Sequence, residues 1–199
     1  MHIRRLITAT CFALLGTTPA IAQNPGTSPP PGTPVTVQRP LREGVLVGFG
    51  VGGGHMSCES EGDVCDGVVE AGGIDLHVGY MFTPRLAGVF EIWPMGHTEK
   101  DVTLTQVITT IGVQWFALPR LWLRAGVGEA NARWRYDGLL IDVTDRTENV
   151  PAVMGAVGYE LLVGQRFAMD LQLRGGTGFY DDQDAKASNV AVQVGFTWY

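Results

Sequence analysis

Lysine is nearly missing from this chain: Lys100 and Lys186 are the two in 199 residues. Water-facing strands of soluble proteins are normally rich in lysine and glutamate, so this scarcity argues against strand faces lying in bulk water. Charge of either sign is also low, at 17% of residues, where a soluble domain carries roughly a quarter. Long apolar runs are absent as well. Hydrophobic residues make up 45% of the chain, yet no stretch approaches the roughly 18 needed for a membrane-spanning helix. The three cysteines are too few for a disulfide framework. Basic residues are outnumbered, leaving a formal charge of −6, which argues against nucleic acid as a partner.

Residues 1–22 read as a secretory leader. Arg4 and Arg5 precede the apolar "LITATCFALLG", and Ala20 and Ala22 form a small-x-small site with cleavage expected after Ala22. The leader takes two arginines and no acid with it, so the mature charge moves from −6 to −8. Cys11 sits inside the apolar run behind Thr10, which makes a lipid-modified leader a weak reading. Residues 23–42 are proline-rich and polar, an extended tail ahead of a domain over 43–199. Cys58 and Cys65 are an even pair in an exported chain and read as a disulfide. Its short loop would contribute about 2–3 kcal/mol through chain entropy. A zinc site recruiting His55 lacks a second Cys or His pair, so no metal and no cofactor are expected.

From residue 44 the pattern becomes period two. Eight segments alternate apolar with polar or small residues: 44–53, 72–82, 85–94, 103–116, 120–134, 152–164, 166–180 and 189–199. Their connections alternate too. Residues 83–85, 117–120 and 164–166 are tight and carry Arg85, Arg120 and Arg166, with Arg42 expected at the same end. Residues 54–69, 95–101, 135–149 and 181–188 are longer and polar. Short connections on one side and long on the other describe an antiparallel up-and-down meander.

Two features orient the faces. The polar face holds Asp75, His77, Glu91, Gln106, Gln114, Arg124, Glu160, Asp170, Gln172, Arg174 and Gln193, diluted by glycine and threonine. Acids and bases in such a mixture suit a narrow interior where they can pair. The opposite face is Val, Leu, Ile and Phe, with Trp115, Tyr159, Trp198 and Tyr199 towards strand ends, as in an aromatic girdle at a membrane interface. Backbone groups in lipid must be paired within the protein, so such strands must close. The expected fold is all-β: an eight-stranded antiparallel up-and-down transmembrane β-barrel.

The leader, the proline-rich lead, the eight alternating strands, and segments such as "RLWLRAGVG" and "RFAMDLQLRGG" beside tight turns resemble the OmpA-type, porin-like outer-membrane β-barrel family over residues 43–199. The resemblance implies a Gram-negative outer-membrane location after Sec export. It also implies periplasmic termini and tight turns, extracellular long connections, and lipid and lipopolysaccharide as surroundings. No peptidoglycan-binding domain is expected after the barrel, unlike in full-length OmpA. In the family the final strand and its terminal aromatic are read by the barrel-assembly machinery, with periplasmic chaperones escorting the chain. That role falls here on Val194, Phe196, Trp198 and Tyr199. Tyr199 stands one residue beyond the apolar register, so either Trp198 or Tyr199 is the anchor.

Asp75, His77, Glu91, Arg124, Glu160, Asp170 and Arg174 are the expected charge network of a filled lumen, since buried charges persist only when paired. Inward glycines (Gly48, Gly50, Gly52, Gly79, Gly126, Gly128) leave room for water and keep a narrow solute pore as the alternative. "HMSCE" places His55, Ser57 and Glu59 on one face, a His-x-Ser pair like that of outer-membrane lipid A deacylases, at a different place in the barrel. Acidic residues of the first and fourth long connections lack EF-hand spacing and read as solvated. Glu129 falls in phase with the lipid face, so the strand has left the membrane there or a bulge re-phases it. The expected function is a monomeric, non-catalytic outer-membrane barrel with a structural or surface-contact role. A soluble ligand-binding barrel and a lipid A-modifying enzyme rank below the pore.

Overall fold

The computed structural model describes residues 42–59, 67–99, 102–137, 142–180 and 185–199. The leader with its Ala20–Ala22 site, nearly all of the proline-rich segment, Cys65, Lys100 and most of the loop acids lie outside the described residues. Among the described residues nine strands form: β1 (Gly44–Glu59), β2 (Gly67–Thr83), β3 (Leu86–Glu99), β4 (Val102–Phe116), β5 (Leu121–Asp137), β6 (Asp142–Arg146), β7 (Val150–Val163), β8 (Phe167–Tyr180) and β9 (Ala185–Trp198). No helix long and apolar enough to cross a membrane is present among the described residues.

The nine strands make eight walls. β6 and β7 both pair with β5, through Arg133↔Arg146 and Ala130↔Val150. Between those pairs Thr147–Asn149 oppose Asn131 and Ala132, one residue too many. This is a bulge, with the Ala132 amide donating to Thr147 Oγ1 and the Thr147 amide to the Ala132 carbonyl, each at 2.9 Å. Pro151 follows the interruption, where a missing donor is tolerated. Each remaining strand pairs antiparallel with its chain neighbours, β1 closes on β9, and β4 on β5. The sheet is a closed eight-stranded antiparallel barrel, as its alternation leads one to expect.

The stagger of the ring follows from the register. Gly48 pairs with His77, then in turn come Glu91, Thr110, Gly128, Ala152, Gly178 and Ala187, and Ala187 pairs with Cys58 of β1. One circuit returns ten residues further along β1. An even stagger keeps inward positions inward all the way round, and it tilts the strands steeply against the axis, roughly 40°.

Apart from β6, the strands run 14 to 17 residues, longer than the roughly 9–11 that cross a bilayer. This corrects the sequence reading, in which stretches such as 54–59 and 67–69 belong to connections. There the ladder continues while the apolar alternation stops, because inward Met56 and Ala71 still bury a face. The tight ends are as expected. The Arg85 amide donates to Thr83 Oγ1 at 3.3 Å, and the Gly164 amide to the Phe167 carbonyl at 2.7 Å.

Candidate functional site

The faces are inverted relative to a soluble barrel. Val45, Val47, Phe49, Leu76, Ile111 (68% exposed), Val127, Leu171, Val192 and many more apolar side chains stand on the outside. Asp75, His77, Glu91, Gln106, Gln114, Arg124, Glu160, Asp170, Gln172, Arg174 and Gln193 are all buried. Trp115, Tyr159 and Trp198 are exposed near the tight-turn end, and Trp198 groups with Phe49, Phe167 and Phe196, with Phe49–Phe196 centroids 5.1 Å apart and Phe167–Trp198 5.2 Å. The β9 residues Val190, Val192, Val194, Phe196 and Trp198 share this outer face.

Tyr199 does not. It follows β9 in the inward phase of Ala191, Gln193, Gly195 and Thr197. Its hydroxyl donates to Glu160 Oε1 at 3.0 Å, and its ring meets Phe116 edge-on at 6.4 Å. The girdle position expected for Tyr199 is therefore corrected; alternation along the strand turns it into the mouth.

Three layers of side chains line the interior. At the tight-turn end Leu46, Met81, Ala87, Val89, Phe116 and Trp122 cluster. Towards the other end Met56, Trp93, Met95, Ile108 and Met154 cluster with small residues. Between them lie the charges. Arg124 pairs through Nη1 with Glu91 Oε2, and its Nε donates to Gln114 Oε1 at 3.0 Å. Arg174 Nη1 is 2.7 Å from Glu91 Oε1 and 3.5 Å from Asp75 Oδ2. His77 Nδ1 lies 2.8 Å from Asp75 Oδ1, and its Nε2 lies 3.3 Å from Thr197 Oγ1. Arg124 also stacks on Trp122 and Arg174 on Trp93, each at 5.0 Å. Five of the seven residues read as one network come together in this way: Asp75, His77, Glu91, Arg124 and Arg174.

The other two belong elsewhere. Asp170 Oδ2 accepts from Trp122 Nε1 at 3.3 Å. Glu160 pairs with Arg42, whose Nη2 also reaches the Pro119 carbonyl at 2.7 Å and whose guanidinium lies 3.8 Å over the Phe116 ring. Arg42 thus leaves the company of exposed Arg85, Arg120 and Arg166 and is buried in the mouth. Its signal was available: position 42 is in phase with inward Leu46 and Gly48. Thr197, Gln114 and Trp122 likewise carry contacts that their phase allowed but no motif announced.

The inward glycines lie against neighbouring groups. A Cβ on Gly48 would meet the His77 ring at 2.3 Å, one on Gly50 the Asp75 carboxylate at 2.0 Å, and one on Gly195 the Gln172 amide at 1.9 Å. Gly158 gives its place to Trp122, at 2.2 Å. His55 and Ser57 stand outward on β1. Ser57 Oγ donates to the Ser188 carbonyl at 3.4 Å, and among the described residues no contact joins it to His55. Glu129 is exposed in the outward phase of Val127 and accepts from Asn149 Nδ2 at 2.8 Å; the bulge lies on the neighbouring strand beyond it and does not re-phase it. No cluster of metal-ligating side chains is found among the described residues.

A closed eight-stranded antiparallel barrel, apolar outside and polar inside, is the fold of outer-membrane β-barrel proteins. The sequence matches no protein-family model and no curated protein. Among solved structures it is similar to Ail, the attachment invasion locus protein of Yersinia pestis. The identity is 12%, with 78% of this chain and 99% of that one covered and a TM-score of 0.58. It is also similar to Neisserial surface protein A, at 12% identity, 78% and 99% coverage and a TM-score of 0.55. At these identities what is shared is the fold.

Proposed function

We propose that this chain is an integral protein of the Gram-negative outer membrane, a monomeric non-catalytic barrel whose polar lumen is closed by its own side chains. Its role is structural or one of surface contact. The inversion of faces carries the reading: large apolar side chains ring the outside while buried arginines and carboxylates pair inside. Such an outer surface is stable in lipid and prone to aggregate in water. The proposed setting comprises Sec export after cleavage behind Ala22, lipid and lipopolysaccharide around the belt, and periplasmic chaperones and the barrel-assembly machinery during insertion. The Cys58–Cys65 disulfide is part of the same reading. Cys58 stands at the far end of β1 opposite Gly67, where a crosslink would staple the first outer connection.

The contacts at Gly48, Gly50, Gly158 and Gly195 support a filled lumen over a solute pore, because the space those glycines leave is taken by His77, Asp75, Trp122 and Gln172. The outward Ser57, bonded to a backbone carbonyl, supports the non-catalytic reading. Fractionation of the expressing cells is the test. The chain should sediment with outer membranes and migrate faster unheated than boiled on a gel; recovery in the soluble periplasm would refute the proposal. Ser57→Ala should leave lipid A acylation unchanged.

A further inference from the structure

The β1–β9 seam joins the first and last strands of the described chain; neighbouring walls elsewhere are joined in sequence order. Its closure therefore carries the largest chain-entropy cost of any pairing in the ring. We propose that Glu160 is a closure lock for this seam. One carboxylate oxygen, Oε2, is engaged by Arg42, which leads into β1, and the other, Oε1, by the Tyr199 hydroxyl, which follows β9. Both engagements coexist only when β1 and β9 are zipped together.

The surroundings make the lock strict. The Glu160 side chain has no exposed surface, and an unpaired carboxylate in such a place is strongly disfavoured. Arg42 reaches it by crossing the mouth. From β1 the guanidinium extends to the Pro119 carbonyl in the β4–β5 turn and lies on Phe116 at the end of β4, on the opposite side of the ring. Gly44, at φ +76°, supplies the left-handed turn between Arg42 and the first ladder residues. Tyr199 is fixed from its own side as well, its amide donating to the Arg166 carbonyl at 3.0 Å. Arg42, held by the β4–β5 turn, and Tyr199, held by the β7–β8 turn, thus converge on one carboxylate of β7. With the seam open, Tyr199 stays beside Glu160 through the β7–β8–β9 pairing while Arg42 is carried off with β1, so zipping the seam and neutralising the buried charge are one event.

The inference rests on the barrel reading, and its test separates the two. The full chain is refolded into lipid vesicles, and the compact, heat-modifiable form is followed with time and across a urea titration. If the unsubstituted chain gives no such form, the barrel reading itself fails. Arg42→Ala is expected to slow its appearance and to shift the folding equilibrium roughly hundredfold towards the open form. Tyr199→Phe acts in the same direction more weakly, and Arg85→Ala in an exposed turn leaves both readouts unchanged. The deciding variant is Arg42→Met with Glu160→Gln. With the charge gone from both sides, it should recover the rate and midpoint lost in Arg42→Ala, even where that single variant does not fold at all. A double variant no better than Arg42→Ala, or an Arg42→Ala chain as fast and stable as the parent, overturns the lock.

Discussion

Arg124 and Arg174 share one counter-ion, Glu91, with one of its oxygens facing each guanidinium. Removing either base leaves part of a buried charge unanswered, while removing the charges together does not. Arg124→Ala is therefore expected to cost about 3–5 kcal/mol in urea unfolding from vesicles, and Arg124→Met with Glu91→Gln to cost much less. Glycine acts at the same scale. Gly50 is there because the Asp75 carboxylate occupies the place of its side chain, so Gly50→Val should displace Asp75 from Arg174 and His77 and lower the unfolding midpoint. Alternation gave the inward direction of each of these residues. It did not give their partners: Glu160 and Arg42 are 118 residues apart and meet only across the ring.

At the scale of the strand, the two faces of β9 answer to different solvents. Val192 is exposed on the outer face next to inward Gln193. Val192→Arg should cost about 2–4 kcal/mol if that face lies near the membrane midplane, measured as the urea midpoint of the barrel in vesicles. An unchanged midpoint would mean that the face does not lie in lipid. Strand existence and phase were legible because period two is written in each segment. Strand length was not, since the ladders outlast the apolar pattern wherever an inward Met56 or Ala71 still packs. The bulge at Thr147–Asn149 escaped as well, because an extra residue in one strand shows only against its neighbour.

For the whole molecule, closure, insertion and permeability are the questions. Deleting Trp198 and Tyr199 removes an outward aromatic and one arm of the Glu160 site together. The truncated chain should be exported and remain in the periplasm, and normal outer-membrane yield would count against the assembly role given to this strand. Purified barrels in planar bilayers should show no steady conductance, because the central ion pairs lie between two apolar layers; regular unitary steps would favour the pore.

The sequence by itself determined the side on which the strand residues lie, except past the register shift after Glu160, where Val163 comes opposite buried Ala168. It also determined that there are eight walls and that they must close, since an alternating strand in lipid cannot leave its backbone unpaired. Those are properties of one strand and its solvent. The stagger of ten residues, the gathering of Asp75, His77, Glu91, Arg124 and Arg174 into one cluster, and the convergence of Arg42 and Tyr199 on Glu160 were decided only by the tertiary structure. The reason is geometric. Phase repeats every two residues along a chain, whereas partners across a lumen depend on how far each strand slides against the next, and that sum is complete only when the ring is closed.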